Sequence, residues 1–264
     1  MKIAISGKGG TGKSTITGLL AHYFNNDGYK VLAVDADPDA NLASALGIPS
    51  EVASSLTPIS QQRRLIEERT GAKPRQFGQM FKLNPVVDDL PDELCFDYQG
   101  IKLIIMGGVR KGGSGCACPE NVLLRSLLSE IILHRQEVVL VDMEAGIEHL
   151  GRGTAQAVDK MLIVVEPGWR SIATAQAIIK LSKEIGIRSW GIIGNKIQNN
   201  HQKEWLKQQF QSDLWLGMIS YRELIQEADL KQKPLIELMD SVLKTEIDQL
   251  YQKLHKEITK LEKT

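Results

Sequence analysis

Met1 to Ser6 is a short apolar run that passes directly into Gly7-Lys8-Gly9-Gly10-Thr11-Gly12-Lys13-Ser14-Thr15, and this junction constrains the fold more tightly than any other feature of the chain. It satisfies G-x-x-x-x-G-K-[ST], a pattern that works as the turn between a β-strand and the helix that follows it. In that setting the glycines let backbone N–H groups face a β-phosphate, Lys13 neutralises β and γ oxygens, and the Ser14 hydroxyl reaches a Mg²⁺ ion. Gly9, Gly10, Thr11, Gly12, Lys13, Ser14 and Thr15 are therefore the expected nucleotide contacts, with ATP or ADP and Mg²⁺ as ligands.

The rest of the chain continues what this opening begins. Short β-branched runs recur at Ile3 to Ser6, Val31 to Val34, Leu103 to Met106, Val138 to Val141, Leu162 to Val165 and Gly191 to Gly194. Continuous apolar strands of this kind are buried on both faces. Segments of helical periodicity lie between them at Lys13 to Asn25, Asn121 to His134, Ser171 to Ile185 and Gln202 to Gln211, so a mostly parallel β-sheet with helices on both faces is expected. At 264 residues and 42% hydrophobic content the chain fits one large α/β domain spanning 1–264. Pro49 to Asp97 breaks the alternation with Pro58, Pro74, Pro85 and Pro91 and one plausible helix around Ser60 to Arg69, and reads as an insertion over the sheet.

Two further strand ends carry carboxylates. Val31 to Val34 runs into Asp35-Ala36-Asp37-Pro38-Asp39-Ala40-Asn41, and Val138 to Val141 into Asp142-Met143-Glu144-Ala145-Gly146. Ligands of open α/β sheets bind at the carboxyl ends of strands, although acidic residues there also serve as turn formers and caps. Asp142 reads as a Walker B aspartate holding a water on Mg²⁺, and Gly146 as the D-x-x-G amide that senses a γ-phosphate. A lysine, a hydroxyl and two strand-end aspartates are the parts that phosphoryl transfer to water requires, and no acceptor-substrate motif accompanies them.

Lys8 makes the loop a deviant Walker A motif, K-G-G-x-G-K-[ST]. With it the chain resembles the dimerising ATPase group of MinD, ParA and the nitrogenase iron protein. That resemblance implies an ATP-dependent homodimer in which Lys8 reaches the partner's nucleotide. It also implies that Asp37 orients the attacking water and that Asn195, in Gly194-Asn195-Lys196, contacts the adenine. Lys8, Lys13, Asp37 and Asp142 are the catalytic candidates.

Cys116 and Cys118 precede a helix opened by Pro119, the position where proline is favoured and where helix polarity supports a thiolate. Residues two apart in extended chain point the same way, so both sulfurs can face one metal. Two thiolates do not close such a site, whereas a two-fold dimer brings four together. Zn²⁺, Ni²⁺ and Cu⁺ all suit that donor set. The run Gly115-Cys116-Ala117-Cys118-Pro119-Glu120-Asn121, followed by Asp142-Met143-Glu144-Ala145-Gly146-Ile147-Glu148-His149-Leu150-Gly151-Arg152-Gly153, is similar to the CooC and AcsF type of nickel-insertion ATPase. The resemblance extends through the insertion and Glu166-Pro167. It implies nickel, with zinc as a substitute, held by paired C-x-C motifs and delivered to carbon monoxide dehydrogenase or acetyl-CoA synthase. The iron-protein pattern needs a cysteine shortly after D-x-x-G, where this chain has only His149. Cys95 lies upstream and reads as buried or incidental.

Lys plus Arg and Asp plus Glu are 32 each, so no global field favours nucleic acid or an anionic membrane. A MinD/ParA-like positioning ATPase acting on a membrane or DNA is the competing reading. Its best support is the stripe Ile247, Leu250, Tyr251, Leu254, Ile258 and Leu261, which is more simply a core face. Three cysteines form no disulfide framework, and Met1 to Ser6 offers no signal-peptide core. A cytoplasmic protein without membrane or nucleic-acid partners is expected.

Overall fold

A computed structural model describes residues 1–261 except 75, 77, 108–117, 145–149 and 151. In chain order the elements are β1 (Lys2–Gly7), α1 (Lys13–Asn26), β2 (Val31–Ala36), α2 (Leu42–Ala45), α3 (Ser50–Ser55), α4 (Arg63–Thr70), α5 (Leu90–Glu93), β3 (Phe96–Tyr98), β4 (Ile101–Ile105) and α6 (Pro119–His134). Then follow β5 (Val138–Met143), α7 (Arg152–Gln156), β6 (Lys160–Val165), α8 (Trp169–Ile185), β7 (Trp190–Ile197), α9 (Asn200–Lys207), β8 (Trp215–Ser220), α10 (Glu223–Leu230), α11 (Leu235–Leu238) and α12 (Ser241–Leu261). The described strands form one sheet in the order β3-β4-β2-β5-β1-β6-β7-β8. Every pairing is parallel except β3 with β4.

The alternation of side chains along the strands divides the core into two layers. Ala4, Leu32, Val34, Val139, Val141, Met161 and Ile163 face the layer that includes α6 and α8. Ile3, Ile5, Val31, Ala33, Leu140, Leu162 and Val164 face the layer of α1 and α12. Burial on both faces is why the middles of β1, β2, β5 and β6 are continuous apolar runs and why their outlines are plain in the sequence.

The C-terminal stripe belongs to this second layer. Ile247, Leu250, Tyr251, Leu254 and Ile258 are buried, with α12 packed on β8 and α1. That apolar face therefore covers the sheet and is not presented to a membrane. Among the described residues no helix is long and apolar enough to cross a membrane.

Pro49 to Asp97 is more structured than its prolines suggest. Its helix falls at Arg63–Thr70, and Ile59, Ile66 and Leu90 are buried in the α6 layer. The Ser60 amide donates to the Met106 carbonyl at 3.0 Å, tying the segment to the end of β4. At its far end the Asp92 carboxylate accepts from Arg135 at 2.7 and 3.0 Å and from Lys102 at 3.1 Å. These cations pull the Asp92 carboxyl down to about 2. The segment then joins the sheet, because Phe96 and Asp97 lie in the antiparallel edge strand β3. Three residues are too few for period-two patterning to register, and β8, with Gly217 and Met218 on a half-exposed edge, escapes the pattern for a similar reason.

Candidate nucleotide site and its relatives

The sheet order places β1 between β5 and β6, so Gly7 ends a central strand and the loop 8–12 leaves from the middle of the carboxyl edge. Two glycines in it have no substitute. A Cβ on Gly7 would lie 2.4 Å from the Val164 carbonyl oxygen of β6, and one on Gly12, at φ +95°, would lie 2.3 Å from Nδ2 of Asn195. The buried Thr11 ties the loop to itself, its hydroxyl donating to the Lys8 carbonyl at 2.9 Å. Helix α1 starts at Lys13 without a side-chain cap, which leaves its first amides available to an anion. Ser14 and Thr15 stand in that first turn, half-buried, and Lys13 is buried with Nζ 3.7 Å from Asp37 Oδ2.

Both aspartate strands end at this loop. Asp35 of β2 and Asp142 of β5 are direct neighbours in the register, and both are completely buried. Their partners differ. Asp35 accepts the amides of Asp37 at 3.2 Å and Leu42 at 2.9 Å, so it shapes the turn that presents Asp37. Burial nevertheless pushes the Asp35 carboxyl up to about 6, against those two hydrogen bonds. Asp37 itself is partly exposed, and its Oδ1 accepts the Asp39 amide at 3.0 Å.

Asp142 has no such support. Among the described residues neither of its oxygens has a hydrogen-bond partner; the Ser14 hydroxyl lies near enough to favour the charged form but falls outside hydrogen-bond geometry. Burial first, then the charges of Asp35 and Asp37, lift its carboxyl to about 7, against the opposing effects of Ser14 and Lys13. A buried carboxylate with two orphaned oxygens beside a serine hydroxyl and a lysine suits a hard divalent cation, which takes oxygen ligands and supplies the missing positive charge. The Ser14 and Asp142 pair thus fits Mg²⁺.

Asn195 ends on the same loop. It is buried, its Nδ2 donates to the Thr11 carbonyl at 2.7 Å, and its Oδ1 accepts the Lys196 amide at 2.9 Å.

Residues 2–235 match the family described as CbiA, the CobQ/CobB/MinD/ParA nucleotide binding domain. The chain belongs to this nucleotide-binding family. Like other MinD/ParA-family members it is an ATPase. Among its relatives, the carbon monoxide dehydrogenase accessory protein CooC of Rhodospirillum rubrum is 51% identical over 229 residues, 87% of either chain. An uncharacterised ATP-binding protein of Methanocaldococcus jannaschii is 45% identical over 254 residues, 95% of this chain and 96% of that one. The septum site-determining protein MinD of Pyrococcus horikoshii, solved with Mg-ADP, superposes with a TM-score of 0.65 at 23% identity, covering 96% of this chain and 94% of its own. That likeness is one of fold.

Two residues of this MinD/ParA-family site are not apparent from local sequence. Glu166, just beyond β6, holds Lys8, with Oε1 3.1 Å from Nζ. Lys196, beside Asn195, donates to the Gly10 carbonyl at 2.5 Å. The resemblance touches Glu166 and the Asn-Lys pair includes Lys196, both at carboxyl ends of strands, but neither signal gives the residue a role.

The C-x-C motif is only half described. Cys118 is extended, at φ −104° and ψ 153°, and occupies the N-cap position of α6 with Pro119 at the first helical residue, as its spacing implies. Cys116, Gly146 and His149 lie outside the described residues. Cys95 is half-buried, its thiol directed at the Asp92 carbonyl at 3.5 Å. Among the described residues no cluster of three or more His, Cys, Asp or Glu is arranged to hold a metal.

Proposed function

We propose that the chain is an ATP-hydrolysing metallochaperone that carries nickel on Cys116 and Cys118 at a nucleotide-controlled homodimer interface and serves the maturation of carbon monoxide dehydrogenase. The observation that carries this reading is the 51% identity, over 87% of both chains, to a protein named as a carbon monoxide dehydrogenase accessory protein. Acetyl-CoA synthase is the second client of the same chemistry, and the cytoplasm is the compartment in which free thiols persist.

In the proposed reaction the loop amides and Lys13 receive the β and γ phosphates, and Asn195 turns its remaining amide N–H to the adenine. Asp142 and Ser14 would hold Mg²⁺, which neutralises charge on the phosphate oxygens. Asp37 orients and deprotonates the attacking water, a task that its exposed edge permits. Lys8 leaves Glu166 to reach the partner's phosphates, as an arginine finger supplied in trans would.

Topology supports coupling between nucleotide and metal. Strand β4 stands three places from β1, roughly 14 Å along the sheet, and α6, capped by Cys118, is the next described helix after it. Helix α6 is tied to α7, which follows the D-x-x-G segment, by a 2.6 Å contact between the Ser129 and Thr154 hydroxyls. A movement of α7 is therefore passed to α6, the helix that Cys118 caps. The positioning-ATPase reading draws nothing from this arrangement, since the α12 stripe is committed to the core.

Lys8→Ala tests the dimer. ATP hydrolysis is expected to fall about a hundredfold, and ATP-driven dimerisation to be lost in sedimentation, with ADP affinity changed less than threefold. A Lys8→Ala monomer that hydrolyses ATP at the normal rate would refute the cross-subunit role.

A further inference from the structure

Lys196 has a backbone that lysine seldom adopts. Its φ is +58°, in the left-handed region, and the pairing of β7 with β8 breaks register between Gly194 and Ile197. This is a β-bulge, a device that re-aims side chains next to sites. In a regular strand the side chains of 195 and 196 would point to opposite faces. Here both reach the same loop, Asn195 bonding the Thr11 carbonyl and Lys196 the Gly10 carbonyl. Glycine or asparagine would accept this conformation with less strain than lysine, so the lysine at 196 has a use beyond the turn itself.

We infer that Lys196 is a positioning residue for the phosphate loop, holding the Gly10 carbonyl outward, away from the nucleotide. A peptide unit is planar, so fixing this carbonyl also fixes the Thr11 N–H, which donates to the Lys8 carbonyl at 3.2 Å and closes the turn from Lys8 to Thr11. Gly10, at φ +80° and with open space where a Cβ would stand, has nothing steric to prevent that peptide from turning over. An inward carbonyl would set a partial negative charge against the phosphates. Glu166 completes the arrangement. Its two oxygens lie 3.1 Å from Lys8 Nζ and 4.0 Å from Lys196 Nζ, so one carboxylate separates two cations that flank the loop.

The inference rests on the loop being the ATP site, and steady-state kinetics with Lys196→Met, Lys196→Arg and Lys196→Gly test it, with Lys13→Ala as a control on the site. Lys196→Met is expected to raise KM for ATP about five- to tenfold, the range of a partly exposed charged hydrogen bond, with kcat within twofold. Lys196→Arg recovers most of the loss. Lys196→Gly removes the positive-φ strain, so it is at least as heat-stable as the parent yet shows the raised KM. A parental KM in Lys196→Met or Lys196→Gly, with ATP binding lost in Lys13→Ala, overturns this inference alone. So does a fall in kcat at constant KM. Retained ATP binding in Lys13→Ala overturns the assignment of the loop and the inference with it.

Discussion

Asp142→Asn is expected to yield a protein that is more heat-stable than the parent in the absence of nucleotide and that has lost ATP hydrolysis. The stability gain follows from the orphaned carboxylate, which burial lifts from 3.8 to about 7. A carboxyl whose folded value exceeds its unfolded value holds its proton longer in the folded state. Folding therefore loses stability as pH rises through that interval, and the full penalty is present above about 7. Three units correspond to a ceiling of about 4 kcal/mol, and an amide that keeps the shape without the charge is expected to recover about half of it, or roughly 2 kcal/mol. For a chain of this size that is a rise of about 4–8 °C in Tm at pH 8, shrinking as the pH falls toward 5. Hydrolysis should fall on the order of 10²–10³-fold, because the amide cannot neutralise a divalent cation. Differential scanning fluorimetry at pH 5 and pH 8, with and without Mg²⁺, reads the first effect, and phosphate release reads the second. Lower stability than the parent at pH 8 would show that the Asp142 charge is satisfied within the protein.

The second large effect concerns the cysteines. Cys116→Ser combined with Cys118→Ser is expected to weaken nickel binding by about 10³-fold or more, since serine keeps the size of cysteine but supplies no thiolate near neutral pH. ATP affinity should change less than twofold, because Cys118 stands on the β4–α6 connection and the phosphate loop on β1, with β2 and β5 between. Metal-competition titration and nucleotide binding on the same preparation separate the two. Undiminished nickel affinity would move the metal to other ligands.

How much of this was legible in the sequence follows from how far apart the cooperating residues lie. The phosphate loop is readable because its glycines, lysine and serine are consecutive, and each is required by the same turn. Strands β1, β2, β5 and β6 are readable because burial on both faces forces apolar runs. Glu166 and Lys196 were hidden because their partners lie 158 and 186 positions away, at Lys8 and Gly10. The sheet order that sets β6 and then β7 beside β1 creates those contacts, and no periodicity encodes it. Asp35 and Asp142 illustrate a finer limit. Both are strand-end aspartates in neighbouring registers, yet one is consumed by backbone amides and the other is left for a cation, a distinction that only the turn at Asp37 to Leu42 makes.

If the nucleotide state decides when two half-sites meet, then nickel stoichiometry and mass must change together. Native mass measurement of the protein titrated with nickel, in Mg²⁺ with a non-hydrolysable ATP analogue and again with ADP, reads both at once. The account predicts one tightly held nickel per two chains with the analogue, on a dimer that the double cysteine variant does not load, and weak nickel on monomers with ADP. One nickel per monomer, bound equally tightly with either nucleotide, would contradict it.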